Sequence, residues 1–121
     1  MARTRQRVFV YGLLRSDQSM HDLLDGARDL GIATLDGYDL VDLGRYPGAI
    51  PGDGTIVGEL VELRNEEQLA MLDQAEGCDR TPPLYERVDV TVRGKAAWLY
   101  VYAGDVTGMP RIPSGDWARR R

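Results

Sequence analysis

The sequence predicts an α+β fold, a small mixed, barrel-like β-sheet with two or more flanking helices. Three observations carry this expectation. Runs such as VFVY and AAWLYVYA are apolar on both faces, as central strands are. Two stretches carry helical spacing. Fourteen glycines in 121 residues supply many turns and close backbone approaches, and a glycine-rich mixed sheet of this size tends to curl.

In chain order, the first strand is expected over Arg7 to Tyr11, ending at Gly12. A helix is expected next, because Met20, Leu23, Leu24 and Ala27 fall at i, i+3, i+4 and i+7. Ser16 or Asp17 would cap it and Gly31 would stop it. His21 flanks that stripe and reads as a surface residue. Tyr38 to Leu43 alternates weakly, as a strand does, and glycine and proline from Gly44 to Gly54 predict a surface loop. TIVGELVEL, Thr55 to Leu63, reads as a strand, with Gly58 marking a bulge. Asn65 opens a second helix with Gln68 as capping-box partner, and Gly77 closes it. Val88, Val90 and Val92 alternate with polar residues, so this strand is half-buried. Gly94-Lys95 predicts a type II′ turn into the strand Ala96 to Ala103. The tail MPRIPSGDWARRR reads as irregular. The whole of 1–121 reads as one domain, with 1–6 and 118–121 expected to be flexible.

Composition narrows the function classes. The chain is 43% hydrophobic and 28% charged, with a formal net charge of -4 and a pI near 4.9. That balance argues against a nucleic-acid partner or an anionic membrane. No window approaches the roughly 18 apolar residues of a spanning helix, and the basic start is followed by too short an apolar run for a signal peptide. A cytoplasmic protein is expected. One cysteine, Cys78, and one histidine, His21, give no disulfide framework and no metal-ligand spacing, so no metal site is expected.

One acid breaks the pattern. Leu69 and Leu72 define the buried stripe of the second helix, and the next position on it is Glu76. A carboxylate there sits at the negative end of the helix dipole, with Asp73 three residues earlier adding like-charge repulsion. Burial, dipole and neighbour would all raise its pKa. Periodicity leaves two readings open: Glu76 faces the core, or the helix frays at Ala75 and the acid turns to water.

VYGLLR, DLGRYPGAIP, GELVEL, LDQAEGC with LYERV, and VYAG followed by RIPSGDW occur in this order from Val8 to Trp117. Together they resemble the γ-glutamylcyclotransferase-like family, which includes AIG2-like proteins and γ-glutamylamine cyclotransferases. Each motif alone is weak; the ordered set is fairly specific. The resemblance implies a small barrel with flanking helices and an enzyme of carbon–nitrogen lyase or acyltransferase type, needing no cofactor. Its small-molecule substrate would be a γ-glutamylamine or related amide, cyclised to 5-oxoproline. It places the catalytic glutamate, within an LD-x-x-E pattern, on Glu76, and the substrate-binding loop on Tyr11, Gly12, Leu13 and Leu14. The family usually has Ser or Thr where this chain has Leu13, so that position would act through its backbone N–H.

On this reading Gly12 lets consecutive N–H groups converge as an anion-binding nest; otherwise Gly12 is a turn glycine and the leucines are core. Tyr85 and Tyr102 are further binding candidates, each with core packing as the alternative. Tyr46 either caps the mouth or packs beneath it, Arg87 points outward or pairs with a surface acid, and Cys78 has no partner base. Competing functions are a tailoring enzyme that removes a γ-glutamyl protecting group and a non-catalytic binding module. A glycosidase using Asp73 and Glu76 is disfavoured, because acids on adjacent helical turns do not flank a bond from opposite sides. The oligomeric state stays open.

Overall fold

A computed structural model describes residues 6–12, 14–15, 18 and 20–119. Five strands form one mixed sheet: β1 (Arg7–Val10), β2 (Arg28–Asp42), β3 (Pro47–Glu62), β4 (Tyr85–Val92) and β5 (Lys95–Tyr102). One α-helix, α1 (Glu66–Ala75), joins β3 to β4, and 3₁₀ turns occupy His21–Leu24 and Trp117–Arg119. The strand order is β2-β3-β1-β5-β4. The sheet curls without closing, because no ladder joins the outer strands β2 and β4 among the described residues, so it is barrel-like only loosely. No helix among the described residues is long and apolar enough to cross a membrane.

β1 is central, as its apolar run predicts, and its alternation feeds two cores. Phe9 and Tyr11 join one cluster with Leu60, Leu99 and Trp117. Val8 and Val10 join the other, with Leu69, Leu72, Tyr85 and Tyr100, against the helix. β1 runs antiparallel to β3, from Arg7↔Glu62 to Val10↔Glu59, and parallel to β5 at Val8↔Trp98. Beyond its end β3 meets β5 directly, at Ala49↔Val101.

Tyr11 closes that seam. Its buried hydroxyl donates to the Tyr100 carbonyl at 2.6 Å and accepts from the Ala49 N–H at 3.0 Å, bridging the two strands that β1 no longer separates. Gly12 follows because the chain passes Pro47 too closely for a side chain: a Cβ there would lie 2.8 Å from the proline Cγ.

Three expectations are corrected. The helix expected from Met20 to Ala27 is a short 3₁₀ turn with i→i−3 bonds, Leu23 N–H to Met20 O at 3.1 Å and Ala27 N–H to Leu24 O at 2.9 Å. Gly26, at φ 81°, ends it, and Gly31 lies inside β2. The loop expected over Gly44 to Gly54 is mostly strand, because β2 and β3 form one long hairpin that pairs Asp42 with Pro47 and Tyr38 with Pro51. The turn between β4 and β5 is centred on Arg93-Gly94, both at positive φ (53° and 76°), with Val92 opposite Lys95. That is type I′ rather than II′. His21 is half-buried, its Nδ1 lying 3.0 Å from the Leu14 carbonyl. The tail is irregular, as expected, but Ile112 and Trp117 are buried in the core.

Removing the Tyr11 hydroxyl strands a buried carbonyl and a buried N–H, each costing about 1–3 kcal/mol when unpaired. Tyr11→Phe is expected to lower the urea unfolding free energy by at least about 2 kcal/mol, whereas Gln74→Ala on the exposed face of α1 should change it by less than about 0.5 kcal/mol.

Candidate active site

The helix that carries the acid is fixed at both ends. Asn65 caps its start, its Oδ1 accepting from the Gln68 N–H at 2.8 Å. The reciprocal bond is shifted by one residue from a capping box: Gln68 Oε1 accepts from the Arg64 N–H, at 2.8 Å, and its Nε2 donates to the Leu23 and Asp25 carbonyls. Gln68 is therefore fully buried without an unmet polar atom.

At the other end the Gly77 N–H donates to Gln74 O at 3.0 Å and the Cys78 N–H to Asp73 O at 3.0 Å, the paired bonds of a Schellman motif. Gly77 takes φ 71°, and a Cβ on it would lie 2.9 Å from Leu84 Cβ. Glu76 is thus the C-cap, one residue past Ala75, held by its N–H to Leu72 O at 2.9 Å. The helix does not fray there, so the acid stays on the buried stripe, half-buried at the wall of a cavity.

That cavity, about 260 Å³, opens where β1 ends. Its lining includes Tyr11, Gly12 and Leu14 from the end of β1, Ala75 and Glu76 from the end of α1, and Tyr46, Pro47, Leu84, Tyr85 and Tyr100. Most of the predicted residues therefore surround one space. Leu13 lies outside the described residues. Tyr102 does not line the cavity; it packs edge-on behind Tyr85, ring centroids 5.4 Å apart. Cys78 packs in the helix-side core, where burial leads and nearby acids add to a rise of its thiol to about 11.

Burial raises the Glu76 carboxyl to about 7. The cause differs from the expectation in one respect: burial accounts for the rise without Asp73. Asp73 is neutralised elsewhere, accepting from the Tyr100 hydroxyl at 2.7 Å and pairing with Arg87 at 2.9 Å. Arg87 is accordingly half-buried rather than outward, and lies 4.3 Å over the Trp98 ring. The tyrosines around Glu76 also give their protons away. Tyr11 donates to Tyr100 O, Tyr85 to Pro47 O at 2.6 Å, and Tyr100 to Asp73. Burial, followed for Tyr11 by the charge of Glu76, keeps these phenols protonated. No described residue offers Glu76 a side-chain hydrogen bond or ion pair. A carboxyl group short of water and donors binds its proton more tightly.

One lining residue escaped the sequence reading. Arg80, in the turn after α1, reaches the cavity with an exposed side chain. Nothing in its local spacing distinguishes it from other surface arginines, so no local signal singles it out. Among the described lining residues, Glu76 and Arg80 carry the ionisable acid and the cation, and no cluster of potential metal ligands occurs among the described residues.

The family profile described as "Gamma-glutamyl cyclotransferase, AIG2-like" matches residues 8–119. The chain is 39% identical over 114 residues to the gamma-glutamylcyclotransferase family protein YtfP of Escherichia coli strain K12, covering 94% of this chain and 97% of that protein. A crystal structure of an uncharacterized protein from Pyrococcus horikoshii superposes with a TM-score of 0.80 at 31% identity, covering 93% and 89% of the two chains. An AIG2-like protein from Mus musculus superposes with a TM-score of 0.73 at 27% identity, covering 89% and 86%.

The raised carboxyl makes stability depend on pH in a definite direction. Between the ordinary 4.5 and about 7 the folded chain holds a proton that the unfolded chain has lost, so stability is fullest below 4.5 and falls as pH rises through about 7. Glu76→Gln removes this dependence. The variant is expected to melt higher than wild type at pH 8, with the difference shrinking toward pH 4 in paired thermal melts.

Proposed function

The chain belongs to the gamma-glutamyl cyclotransferase, AIG2-like family, and from that premise we propose that it releases 5-oxoproline and a free amine from a γ-glutamylamine or related γ-glutamyl amide, with Glu76 as general base and acid. The family and its relatives' names support γ-glutamylcyclotransferase activity in general. The observation that supports the finer reading is the Glu76 carboxyl, without a side-chain partner among the described residues and raised to about 7, on the wall of a cavity at the end of the first strand.

The reaction asks little of the protein. The Glu76 carboxylate takes a proton from the substrate's α-ammonium. The freed amine attacks its own γ-carbonyl carbon, forming the ring C–N bond, and the carbonyl electrons move onto oxygen. As the carbonyl re-forms, the bond to the leaving nitrogen breaks and that nitrogen takes the proton back from Glu76; the ring nitrogen then gives its second proton to the Glu76 carboxylate, which passes it to the departing amine, released as an ammonium ion. A pKa near neutrality suits both transfers, which together contribute about 10²–10⁴-fold. Because nucleophile and electrophile belong to one molecule, holding its folded conformer supplies several kcal/mol more, by proximity.

The cavity walls serve that conformer. On this reading the main-chain N–H groups of Gly12 and Leu14, both cavity-lining residues, meet the α-carboxylate or the developing oxyanion. Tyr85 and Tyr100 act through their ring faces, since their hydroxyl protons are committed to Pro47 and Asp73. The chain's own groups provide for both proton transfers.

Glu76→Gln is expected to keep the fold and lose 5-oxoproline release by a factor of about 10² or more. In the wild type, kcat/KM should rise with pH through about 7, because the carboxylate is the active form of the free enzyme. Undiminished release by Glu76→Gln, measured by chromatography of 5-oxoproline, would contradict the assignment.

A further inference from the structure

We infer that Tyr46 is a further catalytic residue, its hydroxyl donating a hydrogen bond to the γ-carbonyl oxygen of the substrate as that oxygen takes on charge. The inference rests on the proposed reaction and names the side-chain donor for its oxyanion.

Four tyrosines line the cavity, and three of them have committed their hydroxyl protons to the Tyr100 carbonyl, the Pro47 carbonyl and Asp73. Tyr46 is the fourth. It is half-buried, and its hydroxyl has no hydrogen-bond partner among the described residues. The backbone holds it in place. Its carbonyl accepts from the Leu43 N–H at 3.1 Å, closing the turn between β2 and β3, and a residue before proline is restricted to extended conformations. The next residue, Pro47, is buried and is the one against which Gly12 packs, since a Cβ on that glycine would lie 2.8 Å from the proline Cγ. Tyr46 and Gly12 therefore border the cavity side by side. The Tyr46 ring stands 6.4 Å from that of Tyr85, tilted by 50°. Burial first, and then electrostatic repulsion from groups that include Glu76 and Tyr46, keeps the Tyr85 phenol protonated, so Tyr46 and Glu76 act on one common neighbour.

Each polar group of the reacting glutamyl moiety needs a partner of its own. The α-ammonium goes to Glu76. The α-carboxylate, an anion throughout the reaction, goes to the main-chain N–H groups of Gly12 and Leu14. The γ-carbonyl oxygen is left. Among the described lining side chains, Tyr46 and Arg80 are the two whose donors meet no partner, and Arg80 is exposed to water. A half-buried phenol O–H meets the carbonyl where water is displaced. Its hydrogen bond strengthens as the attacking amine pushes the carbonyl electrons onto oxygen. The proton stays on Tyr46 throughout, so Glu76 alone carries protons between the two nitrogens. A donor whose hydrogen bond is strongest in the transition state raises kcat rather than lowering KM.

Tyr46→Phe in the full-length protein keeps the ring against Tyr85 and removes only the O–H, so packing alone predicts no change. With γ-glutamylmethylamide as the probe and 5-oxoproline release as the readout, kcat is expected to fall about 10²-fold. KM should change by less than about threefold, and the midpoint of the kcat/KM profile should stay near 7. Thermal melts of the two proteins should coincide, because the lost hydroxyl leaves no partner stranded. A fall in kcat below about threefold, or a loss confined to KM, would overturn the role. So would a shifted midpoint, which would mark a phenol that acts through Glu76. Release by neither protein would overturn the reaction and this donor together. The base is read separately, from Glu76→Gln, so undiminished release by Tyr46→Phe alone would strike the donor and leave the reaction standing.

Discussion

A half-buried carboxyl group to which no described residue offers a side-chain hydrogen bond or ion pair is the constraint around which this small domain is organised. Of the four tyrosines that line the cavity with Glu76, three send their protons elsewhere: to the Tyr100 carbonyl, to the Pro47 carbonyl and to Asp73. Had any one of them turned to the acid, its proton affinity would drop toward that of an ordinary glutamate. The neighbouring acid is handled in the same way, since Arg87 and Tyr100 together absorb Asp73. The proton affinity of Glu76 is therefore set by burial, and burial is set by where the helix ends.

Two backbone devices bring the acid to the cavity. The Schellman turn at Gly77 stops α1 one residue after the last position of its apolar stripe, which leaves Glu76 on that stripe. On the other side, β1 ends early and Tyr11 pins β3 to β5 beyond it, leaving a space at the strand's end with Gly12 at its edge. A helix terminus and a strand terminus thus border one cavity of about 260 Å³. The elements between them serve as walls.

Much of this was legible in the sequence because it is written locally. β1 was visible in its apolar run, α1 in Asn65, Gln68 and Gly77, and the β4–β5 hairpin in its alternating valines. Glu76 stood out because it breaks a stripe. The β2–β3 hairpin was less legible because its distal half is a ribbon stabilised by cross-strand pairing, and β-propensity depends on such context. Pro51 and Gly54 read locally as a loop, yet the fold uses Gly54 to donate its N–H to Asp39 at 2.9 Å, opposite on β2. The 3₁₀ turn at His21 deceived for the opposite reason: its spacing satisfied a helix, but Gly26 at positive φ ended it after one turn. Arg87 and Tyr100 carry no local sign of their shared partner, since Asp73 reaches them only through tertiary packing.

The central claim concerns the protonation of one side chain, and it can be observed directly. In protein labelled with ¹³C at glutamate side-chain carboxyls, with Glu76→Gln used to assign the resonance, the Glu76 signal should titrate with a midpoint near 7 while exposed glutamates titrate near 4.5. A midpoint near 4.5 for Glu76 would show a carboxyl in contact with water or a donor, and would contradict the account.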